Sequence, residues 1–270
     1  MSLRRVGAVA AIAGSVLCGI GWLLSAPLTR AEEERLWQLR NLGKALYENP
    51  TTQKQAVEQF RRARDLAPQS AREVLNYGLS LLRAGDAPGG IAQLEKAQKL
   101  DPKLPHTWFN LGIAFKRQAD FDKATTQLQE MARLTPGDAV THYQLGALHK
   151  LANDNAAAVR EFEKARELNP RMAAPHFQLY GLYRQAERTE DAAKELEIFQ
   201  DLKKQQEGAA VPEDMEWNVY AEIYDAPPPA VPAAAKSAAI FRERKLAMGV
   251  SGVVAMGTDL IAWGGGKATL

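Results

Sequence analysis

From about residue 36 to residue 203, apolar residues recur three and four positions apart, the spacing of helices that bury one face. The pattern itself repeats. Pro68, Pro102, Pro136 and Pro170 stand 34 residues apart and follow Leu-Ala, Leu-Asp, Leu-Thr and Leu-Asn, so a helix ends and a turn begins at each. The clearest unit carries Trp108, Leu111, Gly112 and Phe115 on a predicted first helix. Ala124, Leu128 and Met131 follow on a second, and Pro136 closes the unit. A fixed period of this length marks a solenoid of stacked supersecondary units, in which each helix pair buries its apolar faces against its neighbours.

The other units keep the register. Val74, Tyr77, Gly78 and Leu81 precede Gly90, Leu94 and Ala97; His142, Leu145, Gly146 and His149 precede Ala158, Phe162 and Ala165. A fifth unit shows His176, Leu179, Tyr183, Ala192, Leu196 and Phe199, with Tyr180 where glycine is expected. The first, from Leu39 to Pro68, has an extra residue in its turn around Asn49-Pro50-Thr51, and a terminal repeat has a neighbour on one side only. Glycine and alanine at fixed places let two helices approach closely. These residues resemble the tetratricopeptide repeat, whose signature sets Trp, Leu, Gly and Tyr on a first helix and Ala, Phe, Ala and Pro on a second. The resemblance implies an all-α fold, a right-handed superhelix of helix-turn-helix pairs over residues 36–203, and a binding module rather than a catalyst.

Composition narrows the partner more than the fold. With 34 basic and 32 acidic residues the chain has no global field for nucleic acid. The lone Cys18 rules out an internal disulfide framework, and no Cys/His metal pattern, phosphate loop or cofactor motif is present in the sequence. Arg4 and Arg5 precede a run without charge from Val6 to Leu24, so residues 1–31 are expected to be a signal peptide or membrane anchor, and the protein to be exported to the periplasm or beyond.

After Lys204 the period stops. Residues 204–236 hold an acidic, aromatic stretch from Glu213 to Asp225 and a Pro/Ala-rich linker around Pro227-Pro228-Pro229. Trp217, Tyr220, Ala221 and Tyr224 would share one face of a short helix, expected to cap the fifth unit through Leu196 and Phe199. The competing expectation docks this stretch in the groove near Phe177 and Arg184. Residues 237–270 read as a β-hairpin-like tail with a Gly257-Thr258-Asp259 turn, which resembles the opening of an FG-GAP β-propeller blade, as in a chain cut short within a longer protein. The calcium loop of that family is missing, so metal binding is not implied.

Within such a repeat, the resemblance assigns the concave groove to certain places of each first helix. They place Arg72 and Arg83, then His106, Phe109, Lys116 and Arg117, then Tyr143 and Lys150, then Phe177 and Arg184 along one surface. A basic, aromatic-lined groove suits an extended peptide or protein segment with acidic and apolar residues. Of the four histidines, His142 and His176 take the family's Trp place and His149 its Tyr place, which makes them packed polar substitutes rather than ligands. The function expected is a non-enzymatic scaffold outside the cytoplasm. The alternative makes the array a spacer for a C-terminal propeller that carries the binding or chemistry. If residues 1–31 are a targeting segment, mass spectrometry of protein from the native host will find a mature start at Glu32 or the whole chain in the membrane fraction. Full-length soluble cytoplasmic protein contradicts both.

Overall fold

The structure, a computed structural model, describes residues 27–205 and 218–225, and strand residues 245–246, 252–256, 259–264 and 267–269. The expected signal or anchor at residues 6–24, Cys18, Trp217 and the Pro-rich linker lie outside the described residues. Between residues 27 and 205 the chain is wholly helical. Ten helices follow one another: α1 Arg30–Glu48, α2 Gln53–Leu66, α3 Ala71–Arg83, α4 Ala87–Leu100, α5 Pro105–Arg117, α6 Phe121–Leu134, α7 Ala139–Leu151, α8 Asn155–Leu168, α9 Ala173–Gln185 and α10 Thr189–Gln205. Each odd helix pairs with the next even one, and each even one with the odd helix that follows.

Local chemistry sets the helix ends at the repeat period. Asp86, Asp120 and Asp154 cap α4, α6 and α8 by accepting from the backbone N–H of Gly89, Lys123 and Ala157. Just before them, Gly85, Ala119 and Asn153 take the left-handed conformation that stops the preceding helix, as does Glu187 in the fifth pair, with φ of 91°, 59°, 59° and 58°. The longer first turn, residues 49–52, is tied by Thr52 Oγ1, which donates to Leu46 O at 2.7 Å.

Within a pair, one contact recurs. Gly43, Gly78, Gly112 and Gly146 face Phe60, Leu94, Leu128 and Phe162, all four of which are fully buried. A Cβ on Gly112 would lie 2.6 Å from Leu128 Cγ, and one on Gly146 would lie 2.7 Å from Phe162 Cδ1. The adjoining Ala124 and Ala158 have no exposed surface. Between units, a ring N–H reaches back to the closing proline of the unit before. Trp108 Nε1 donates to Pro102 O at 2.8 Å, and the Nε2 atoms of His142 and His176 face Pro136 O and Pro170 O at 3.3 Å. The histidines thus repeat the polar contact of the Trp they replace. Their Nδ1 atoms meet Glu161 at 2.7 Å and Glu195 at 2.6 Å. The hydrogen bond to Glu161 raises the pKa of His142 above its ordinary value.

The chain divides into two compact units at Tyr224. In the second, strands β1 Lys245–Leu246, β2 Gly252–Met256, β3 Asp259–Gly264 and β4 Lys267–Thr269 form an antiparallel sheet in the order β1-β4-β3-β2, with Met256 opposite Asp259.

The glycine contact has a measurable consequence. Gly112→Leu overpacks against Leu128 and is expected to lower unfolding stability by about 1–3 kcal/mol in urea titrations. Gly181 on α9 behaves oppositely, because a Cβ there would meet nothing within 4 Å. Gly181→Ala should add about 0.5–1 kcal/mol through helix propensity.

Candidate functional site

Residues 218–224 lie across the first helices of the second, third and fourth pairs. Asn218 sits at the start of α7, where its Nδ2 donates to Asp138 Oδ2 at 2.8 Å. A single 3-10 turn follows at Val219–Ala221 and brings Tyr220 O to α5, where it accepts from Asn110 Nδ2 at 2.6 Å. The chain then extends to α3. There Asn76 meets Tyr224 from both sides: its Nδ2 donates to Tyr224 O at 3.1 Å, and its Oδ1 accepts from Tyr224 N at 2.8 Å. Arg72 Nε donates to the same carbonyl at 3.1 Å. The segment therefore runs antiparallel to the order of the units, and its backbone is held by side chains.

Its side chains supply the apolar half of the contact. Ile223 is buried, and Tyr220 and Tyr224 enclose His106, with ring centroids at 5.2 Å and 4.4 Å. Burial lowers the pKa of His106 to about 4, and its Nδ1 is enclosed without a hydrogen-bond partner. Beside Ala221 and Glu222 a cavity of about 530 Å³ remains, walled by Tyr47, Leu79, Arg83, Phe109, Ile113 and Arg117 among others. Arg83 lies over the Tyr47 ring at 4.8 Å. Burial raises the pKa of the Tyr47 phenol; the Arg83 charge opposes that shift and Glu222 adds to it.

Two expectations for this stretch need correction. Residues 218–225 form a 3-10 turn and extended chain instead of a capping helix, and they meet α3, α5 and α7 rather than Leu196 and Phe199. So short a helix is costly to nucleate, whereas here side-chain amides partner the backbone directly. The groove contact also lies in the second to fourth pairs, away from Phe177 and Arg184.

The residues expected to line the groove fall into four groups. Arg72 and His106 touch the segment, while Arg83, Phe109 and Arg117 wall the cavity, with Phe109 fully buried in the core behind it. Lys116 and Lys150 donate to Gln144 Oε1 and Gln178 Oε1 on the next first helix, at 2.9 Å and 2.8 Å. Tyr143 packs on Phe162, whereas Phe177 is 49% exposed beside Phe199, and Arg184 bonds Tyr180. The sequence reading missed the residues that grip the backbone. Asn76, Asn110, Gln144 and Gln178 stand 34 residues apart, a carboxamide recurring inside the apolar stripe of each first helix. Asn76 and Gln144 have 1% and 0% of their surface exposed, which marks a polar group retained for a partner. Among the described residues, no three His, Cys, Asp or Glu side chains are grouped so as to hold a metal ion.

Residues 75–139 match the tetratricopeptide repeat family. The matched stretch runs from α3 to the first residue of α7. Solved structures agree on the fold. MamA from Desulfovibrio magneticus RS-1 is 17% identical, with a TM-score of 0.55 over 66% of this chain and 98% of its own. A Pseudomonas aeruginosa PilF is 20% identical, with a TM-score of 0.57 over 64% of this chain and 78% of its own. MamA AMB-1 is 21% identical, with a TM-score of 0.54 over 66% of this chain and 96% of its own. No curated protein matches the chain.

The enclosed His106 makes the contact pH-dependent. Its pKa is depressed in the docked state, so docking favours the neutral ring and is fully present above the ordinary value of 6.5. It weakens as pH falls below that toward 4. NMR titration of the full chain should place the His106 midpoint near 4, and Tyr220→Ala/Tyr224→Ala should return it toward 6.5. A midpoint near 6.5 in both proteins would contradict enclosure of the ring.

Proposed function

We propose that the protein is a non-enzymatic scaffold that holds an extended, acidic and tyrosine-bearing segment of a partner protein against α3, α5 and α7. A tetratricopeptide-type array is typical of protein–protein interaction scaffolds. The single observation that carries the finer reading is the two-way hydrogen bond between the Asn76 amide and the backbone of Tyr224. A carboxamide that pairs with both N–H and C=O of one residue recognises an extended peptide whatever its side chains. Asn110 adds a donor to the Tyr220 carbonyl one unit later, and aromatic and basic groups nearby select composition.

The uncharged run at residues 6–24 supports placement outside the cytoplasm, tethered to the membrane if it is retained. A second reading, in which the array is a spacer for a C-terminal β domain, draws on the antiparallel sheet of β1 to β4.

The experiment is photo-crosslinking on the full chain with a benzophenone-labelled peptide of the sequence 217–225. Labelling should map to α3 and α5. Asn76→Ala/Asn110→Ala removes three hydrogen bonds worth about 0.5–1.5 kcal/mol each and, made together with Tyr220→Ala/Tyr224→Ala so that the chain's own segment does not compete, should cut labelling at least tenfold. Labelling spread over the surface, or unaffected by the double substitution, would overturn the reading.

A further inference from the structure

We infer that residues 218–224 are an internal competitor, which keeps the groove closed until a partner segment of the same chemistry displaces them. The inference rests on the groove-binding reading above and adds its regulation. Three observations carry it. The segment occupies the very side chains that would read a partner backbone, Asn76, Asn110 and Arg72, so a partner cannot use them while it is docked. Its hold is incomplete. Val219 is 63% exposed, and only Asn218 and Ile223 of the segment are buried. The cavity of about 530 Å³ next to Ala221 and Glu222 also stays open, although apolar Leu79 and Ile113 and basic Arg83 and Arg117 line it.

Connectivity explains how so modest a contact can hold. Asn218 is joined to the end of α10 by the twelve residues 206–217, so docking is intramolecular. A short tether of this kind gives an effective concentration on the order of millimolar, without any strong contact. A partner in trans must overcome that concentration, and the unfilled cavity is where it can. A peptide with a larger apolar side chain in place of Ala221 makes contacts the internal segment lacks, while its acidic neighbour takes the place of Glu222 in the wall that also holds Arg83 and Arg117. The occupant this fits is an extended segment with two tyrosines four residues apart, a bulky apolar residue after the first, and an acid next to it.

The apparent affinity for such a peptide is the intrinsic affinity scaled by the fraction of chains with an open groove. Fluorescence anisotropy with labelled peptide 217–225 therefore tests it on the full chain, wild type against Tyr220→Ala/Tyr224→Ala. The double substitution spares every groove residue and should tighten binding at least tenfold. Asn218→Asp sets a second carboxylate against Asp138 and serves as an independent opening variant with the same expected direction. A peptide with Leu in place of Ala221 should bind wild type more tightly than the native sequence, and equal binding would overturn the role of the cavity. Affinities within twofold across wild type and both opening variants would overturn the internal competitor and leave the groove reading standing. Absence of binding to all three proteins would instead overturn the groove reading itself.

Discussion

Close approach of two helices at a glycine underlies everything else in the array. At Gly43, Gly78, Gly112 and Gly146 the first helix of a pair comes near enough for Phe60, Leu94, Leu128 or Phe162 to fill the space a side chain would have taken. Because the contact recurs with the repeat, successive pairs stack with first helices beside first helices, as the contact of α3 with α5 shows. A side chain at one place of the repeat then has equivalents along a continuous surface. The groove is a consequence of that alignment, and no single pair contains it.

On such a surface an extended chain meets a particular difficulty. It lies against helices whose own backbone groups are already paired, so its N–H and C=O groups cannot join a ladder as they would at a sheet edge. Buried peptide groups left unpaired are costly. The carboxamides at Asn76 and Asn110 resolve this from the side-chain layer, since each offers a donor and an acceptor on a short, stiff stem. Where no segment lies among the described residues, Gln144 and Gln178 accept from Lys116 and Lys150 of the preceding helix. Charge has a smaller role than a basic groove would suggest. Asp138 contributes an acid to the same surface, and the lysines are engaged with neighbouring amides.

The histidines show how the same scaffold tolerates substitution. At the Trp place, His142 and His176 keep the hydrogen bond to the closing proline and add a carboxylate contact from the second helix. His106 differs because its neighbours are the tyrosines of the C-terminal segment rather than an acid, so burial lowers its pKa where that of His142 is raised. Two residues of one type thus have their pKa values shifted in opposite directions, and the cause in each case is what surrounds the ring.

Helix number, pairing and the glycine contacts were legible in the sequence because they repeat. A period of 34 residues averages away local ambiguity, and Gly, Ala and Pro have strong local consequences wherever they stand. That Arg72, His106, Arg83 and Arg117 share one surface was legible for the same reason, since it follows from place within the repeat. The carboxamides left a trace in the sequence too, as a polar recurrence inside an apolar stripe, but their purpose did not show until a backbone lay against them. The seat of residues 218–224 was decided by tertiary structure alone. A seven-residue stretch outside the repeat has no periodicity to read, and its apolar spacing fits a helix as well as an extended strip. What chose between them was the availability of Asn76 and Asn110 as backbone partners, more than a hundred residues away in the chain and adjacent only once the array has stacked.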